Sequence, residues 1–193
     1  YVPAPLGFSG DIILVIYLLA LCRFFMALTA LDAGSSFGGF GGSRESVMGA
    51  LTEPALLLSI IAVLLTTTET NIGNVIQNVL QHDFFISNFS WWLALIAFVI
   101  VLIIETGRLP YDNPDTHLEL TMMHESMMLE YSGRYLGLMV LFVQIKQLLL
   151  ITVLINLFFF FFFAVNVGYL EVAQALVLYV CKVFIVGLGL AVI

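Results

Sequence analysis

The chain has 193 residues, of which 62 % are apolar and only 10 % charged, against about 45–50 % and about 25 % in a soluble domain. With a mean hydropathy of +1.11, it cannot be a soluble enzyme, a nucleic-acid binder or a disordered chain, and a helical integral membrane protein remains. The net charge of −7 comes from 13 Asp/Glu against 6 Lys/Arg, too few cations for a polybasic patch facing lipid headgroups or nucleic acid.

A spanning helix takes about 20 mostly apolar residues. Five segments qualify, at about 12–31, 47–65, 89–105, 135–163 and 172–193. The apolar residues run continuously instead of alternating, which disfavours a β-barrel. The pattern predicts an all-α, polytopic transmembrane helical bundle with about five spanning helices, as one transmembrane domain over 1–193.

Between the first two segments, 33–43 is rich in Gly and Ser. It lacks the Lys and the flanking strand of a phosphate-binding loop, and reads as a close-packed, flexible cytoplasmic turn. The third segment is short and opens on Trp91-Trp92, read as an interfacial aromatic pair. The fourth is long enough to tilt. It ends in six consecutive Phe, 158–163, read as lipid-facing bulk. Cys22 and Cys181 each lie inside an apolar run. No disulfide framework is expected, and two thiols cannot complete an Fe–S or four-thiolate site.

The connections alternate in charge. Segments 1–11, 66–88 and 164–171 hold no Lys or Arg, whereas 32–46 holds Arg44 and 106–134 holds Arg108 and Arg134. In a five-helix alternating topology these basic residues share one side. The positive-inside rule makes that side cytoplasmic, in a multi-pass protein of the inner (cytoplasmic) membrane of a cell.

Four charges lie inside the runs: Arg23, Glu53, Lys146 and Lys182. Each costs about 2.5–3.5 kcal/mol at mid-bilayer, so such groups face the bundle interior and take partners. Pro54 follows Glu53 and weakens the local helix ladder. Gln144 and Gln147 flank Lys146 as a polar patch. For one such residue a buried ion pair that fixes packing is the plainer reading. Four of them, with both signs, favour a proton relay, because the insertion costs accumulate. Glu105 and Glu130 sit at or near membrane edges.

The densest chemistry lies in 106–134. Pro110 and Pro114 force an irregular loop. Asp115 or Thr116 then caps a helix expected to run to about Tyr131. On it, Asp115, Glu119, Ser126 and Glu130 share one face, and His117, His124 and Met128 another. An acidic stripe is usually solvated, but the surrounding Leu and Met argue against full exposure. His124-Glu125 begins a zincin-like pattern, yet position 128 is Met and the motif fails. No metal site and no Ser/His/Asp arrangement are expected.

At this loop the chain becomes recognisable. Glu105-Thr106-Gly107-Arg108-Leu109-Pro110-Tyr111-Asp112, then Glu119-Leu120, then Glu130-Tyr131-Ser132-Gly133 resembles the signature of respiratory complex I subunit 1, the NuoH family. Asp112-Asn113-Pro114-Asp115-Thr116-His117-Leu118-Glu119-Leu120-Thr121, followed by His124-Glu125, looks closer to its hydrogenase branch. That branch holds the membrane anchor subunits of energy-converting nickel–iron hydrogenases: hydrogenase-4 component C, formate hydrogenlyase subunit 4 and archaeal membrane-bound hydrogenase subunits. Upstream, Arg44-Glu45 with Glu53 nine residues after the Arg is similar to the family's Arg-to-Glu segment entering a helix. The resemblance covers roughly residues 5–157.

The resemblance implies a complex I subunit 1-like fold and a non-redox subunit of an oxidoreductase (hydrogenase) complex. Such a subunit anchors a soluble electron-transfer arm and couples it to proton or sodium translocation through buried acids. It has no active centre of its own. No cofactor is expected on this chain; a Ni–Fe centre and Fe–S clusters are expected on partner subunits. Those partners would be the hydrogenase large and small (Fe–S) subunits and antiporter-like membrane subunits, in a hetero-oligomer within the lipid bilayer. By position, Glu53, Glu105, Asp112, Asp115, Glu119 and Glu130 match acids of the family's proton path. The charges inside and beside the membrane add Glu125, Lys146 and Lys182 as candidates. Arg23, Arg44, Glu45, Arg108, His117, His124 and Arg134 are expected to support them. The segment holding His124-Glu125 is about one helical turn longer than in complex I, which counts against a quinone chamber of that type. The family subunit also has further helices, so the chain reads as a piece of a longer subunit. Two alternatives are kept: a quinone-site subunit of a complex I-type NADH:quinone oxidoreductase, and a secondary transporter, against which the lack of an internal repeat argues.

Overall fold

A computed structural model describes residues 7, 10–81, 88–108, 123–159 and 169–192. Seven helices follow in order among them: α1 (Asp11–Asp32), α2 (Ser36–Thr67), α3 (Ile72–Gln81), α4 (Phe89–Glu105), α5 (Met123–Met128), α6 (Gly133–Phe158) and α7 (Tyr169–Val192). Helices are what apolar runs must form in lipid, where every backbone N–H and C=O needs a partner within its own segment. Helices α1, α2, α6 and α7 are long and apolar enough to cross a membrane, and α4 is a shorter apolar helix of 17 residues. The protein is a polytopic transmembrane helical bundle, as its composition predicts.

Helix α2 is the centre of the bundle. It packs between α1 and α4, and α5 lies against it as well. Its 32 residues extend over about 48 Å, well beyond the ~30 Å hydrocarbon layer. This corrects the Gly/Ser reading: the helix begins at Ser36, inside the stretch expected to be a flexible turn. Two causes oppose the low helix propensity of Gly. The Ser35 hydroxyl accepts from the Gly38 N–H at 3.0 Å and caps the first turn. The glycines then let neighbours approach: Gly38, Gly41 and Gly42 are all buried. A Cβ on Gly38 would lie 2.6 Å from the Ala30 carbonyl oxygen, and one on Gly41 would collide with Ser126 Oγ. Pro54 sits within α2 without ending it.

The core joins α2, α4 and α6 through Ile60, Val63, Phe98, Leu102, Leu154 and Phe158. Phe158 corrects a second expectation. The first Phe of the run is fully buried, with ring centroids 5.6 Å from Trp91 and 5.7 Å from Phe98. Phe159 is exposed, and 160–163 lie outside the described residues. Trp91 likewise belongs to the core instead of the interface, while Trp92 is exposed. Their 89° edge-to-face contact divides the pair between two environments.

Helix α3 falls in the connection 66–88, for which no helix was expected. Asp11 Oδ1 accepts from its Ile72 N–H at 2.9 Å, tying the start of α1 to the segment after α2. Helix α7 docks on α6 by a 2.6 Å hydroxyl contact between Thr152 and Tyr179. Lys182 Nζ adds a 2.9 Å bond to the Phe159 carbonyl. Leu176, Val177, Phe184 and Ile185 of α7 are exposed, as suits a helix facing lipid.

Candidate functional site

The spacing Glu45, Gly49, Thr52 and Glu53 places these residues along one side of α2. Arg23 reaches them from α1, and Glu105 arrives at the last residue of α4. Arg23 Nε is 3.4 Å from Glu45 Oε1, and its Nη1 is 3.5 Å from Glu53 Oε1. Its Nη2 pairs with Glu105 Oε1. The other Glu105 oxygen, Oε2, is 3.0 Å from Lys146 Nζ on α6. Four helices thus meet in one ionic cluster, and its Arg23, Glu45, Glu105 and Lys146 side chains are each at most 11 % exposed. Glu53 lies at the rim, 42 % exposed.

Thr52 completes the set. Its hydroxyl accepts from Arg23 Nη1 at 2.8 Å and lies 3.1 Å from Glu105 Oε1. A guanidinium only donates, so the single hydroxyl proton is directed at the Glu105 carboxylate. Arg23 is a cation placed between three acids. Glu105 is the carboxylate that touches both cations, Arg23 and Lys146. A small cavity of about 20 Å³ is bordered by Arg23, Glu53, Glu105 and Lys146, room for about one water. It shares Ile16, Leu19, Leu56 and Leu150 with an apolar cavity of about 190 Å³ between α1, α2, α4 and α6.

Of the candidates named from the sequence, the structure therefore brings together Arg23, Glu45, Glu53, Glu105 and Lys146. Glu45, expected in a supporting place, is central. Lys182 lies on α7 at the Phe159 carbonyl, away from the cluster. Arg44 projects over the Phe40 ring of its own helix at 5.6 Å. Arg108 follows the end of α4 and is half-buried, while Glu125, Glu130 and Arg134 are exposed. Asp112, Asp115, His117 and Glu119 lie outside the described residues, as does the side chain of His124.

The expected helix to Tyr131 is also corrected. Helix α5 ends at Met128, and a turn precedes α6. Ser126 and Met127 are buried, and the Gly41 position faces Ser126. Tyr131 donates its hydroxyl to the Thr29 carbonyl at 2.8 Å, drawing the connector onto α1. Ser126 therefore marks the buried face of α5, and Glu130 falls beyond the helix that was to carry the stripe. Reasoning from sequence missed Thr52 and Gly49. Their signal was present: both lie on the Glu45–Glu53 side of α2, but neither is ionisable. Among the described residues no group of three His, Cys, Asp or Glu converges as a metal site.

Comparison with known proteins agrees with this architecture. Residues 1–193 match the NADH dehydrogenase family throughout. Formate hydrogenlyase subunit 4 of Escherichia coli is 37 % identical over 157 residues, 81 % of this chain and 50 % of that protein. Hydrogenase-4 component C of the same organism is 37 % identical over 183 residues, 95 % of this chain and 56 % of that protein. The NuoH-type subunit of the NADH-quinone oxidoreductase of Rickettsia prowazekii is more distant, 29 % identical over 132 residues, 61 % of this chain and 37 % of that protein. The chain spans about half the length of the two Escherichia coli relatives. A helical membrane bundle that matches one family model from end to end is a member of that family: the chain belongs to the NADH dehydrogenase family.

Proposed function

We propose that the chain is part of the membrane subunit of a nickel–iron hydrogenase complex, where it anchors the soluble arm and couples electron transfer to proton or sodium translocation. The observation that carries this reading is the buried cluster itself. Three carboxylates and two cations gather inside a membrane bundle, where ionisable groups are costly and mark ion pathways. With every group ionised, one carboxylate lacks a cation, and one mobile proton or sodium ion balances the set. The likeness to formate hydrogenlyase subunit 4 and hydrogenase-4 component C favours the hydrogenase branch.

In this reading the redox groups, a Ni–Fe centre and Fe–S clusters, belong to partner subunits, and further membrane subunits carry the ion onward. Electron arrival near Asp112 and Glu119 changes the local field. A proton then passes by way of Glu53, Glu105 and Lys146, with a water in the small cavity bridging what the side chains do not span. Arg23 holds the acids in place and relays nothing. Arg44, Arg108 and Arg134 put their side of the bundle in the cytoplasm.

A second reading, a quinone-site subunit, is favoured by the apolar cavity adjoining the cluster and by the relative named for NADH-quinone oxidoreductase. One preparation separates the two. The native complex is purified in mild detergent, its subunits identified by mass spectrometry, and nickel and iron assayed. Nickel with a hydrogenase large subunit supports the first reading. Iron–sulfur subunits without nickel support the second. In vesicles, Glu105→Gln and Glu53→Gln should lower the ions moved per hydrogen formed; a parent ratio in both variants overturns the coupling role.

A further inference from the structure

We propose that Gly49 is a positioning residue: its missing side chain opens the slot in which the Arg23 guanidinium lies across α2, within reach of Glu45, Thr52 and Glu105. The inference rests on the coupling role proposed for the cluster and adds the device that holds its central cation.

Gly49 is buried, one turn after Glu45 and just before Thr52 on the same side of α2. A Cβ there would stand 2.8 Å from Arg23 Cδ and 2.9 Å from Arg23 Nη1, closer than such atoms approach. The other buried glycines of α2 meet different neighbours. Gly38 faces the Ala30 carbonyl, Gly42 the Ala30 side chain, and Gly41 faces Ser126 of α5; those positions seat one helix on another. At Gly49 the neighbour is a charged side chain, and one of the two atoms in the way is the same Nη1 that donates to Thr52 at 2.8 Å and faces Glu53.

Local preference does not account for this glycine. The position is helical, and Ala is the better helix former there. What Gly supplies is space, and what fills the space is Arg23. A methyl group would leave α2 helical and push the flexible Arg23 aside. The contact to Thr52 and the pairing with Glu105 would then open, and both depend on direction as well as charge.

The test uses the intact complex in vesicles and reads ions moved per hydrogen formed for Gly49→Ala, Arg23→Ala and the double variant. The ratio in Gly49→Ala should fall to that of Arg23→Ala, and the double variant should match Arg23→Ala. A Gly49→Ala ratio equal to the parent, with Arg23→Ala low, overturns the slot and leaves the coupling role standing. Losses that multiply in the double variant also overturn it, because Gly49 would then act apart from Arg23. A parent ratio in Arg23→Ala overturns the role of the cluster and the slot together. The Gly49→Ala complex is also imaged by electron cryomicroscopy. Arg23 withdrawn from Thr52 supports the slot, and Arg23 in its parent position overturns it whatever the ratio.

Discussion

Lys146 and Glu105 form a 3.0 Å ion pair between the middle of α6 and the last residue of α4, and the same carboxylate pairs with Arg23 of α1. One side chain thereby joins three helices, with Thr52 of α2 donating to it as well. Removing one partner of a buried pair costs about 3–5 kcal/mol, because a charge is left without compensation. Glu105→Gln strands Lys146 and takes one of three carboxylates from Arg23, whereas Lys146→Met leaves Glu105 with Arg23. The thermal midpoint of the purified complex should therefore fall further for Glu105→Gln. Equal midpoints would show that Glu105 does not join the helices as described.

Glu53 is held more loosely, at 3.5 Å from Arg23 Nη1 and with 42 % of its side chain exposed. Partly solvated pairs contribute at most about 1 kcal/mol. Glu53→Gln should leave the midpoint within that range while lowering ions moved per hydrogen formed. A large loss of stability would place Glu53 among the structural members.

The first turns of α2 depend on Ser35. Ser35→Ala removes the acceptor for the Gly38 N–H and should cost about 1 kcal/mol. Amide exchange over residues 36–42 should then quicken by about fivefold, the factor that 1 kcal/mol represents. Unchanged exchange would mean that packing of the glycines alone holds this segment.

Gly41 seats α5. Gly41→Leu places atoms where Ser126 lies, so α5 should lift from α2. A Ser126→Cys reporter, buried in the parent, should react with a water-soluble maleimide at least about tenfold faster, since burial suppresses labelling in proportion to the closed population. An unchanged rate in Gly41→Leu would show that α5 is held by other contacts.

Much of the membrane part was legible because apolar length is a property of the chain itself. The segment at 89–105 agrees with α4 residue for residue, and the expected segments at 12–31 and 47–65 fall within α1 and α2. The misreadings share one cause. The Gly-rich start of α2, the burial of Trp91 and Phe158, and the end of α5 at Met128 are all decided by what lies opposite, and composition does not name a neighbour. Propensity makes Gly a loop former; Ala30 and Ser126 make Gly38 and Gly41 helical contact points.

The site divides in the same way. Sequence alone determined that this is a polytopic helical membrane protein, that Arg23, Glu53 and Lys146 must find partners in the bilayer, and that the acids around Glu105 resemble those of one family. Insertion cost acts on each residue singly, so it can be read along the chain. Which carboxylate meets which cation was decided only by the tertiary structure. That choice depends on the rotation of four helices about their axes, on a glycine without a side chain, and on the direction of one threonine hydroxyl.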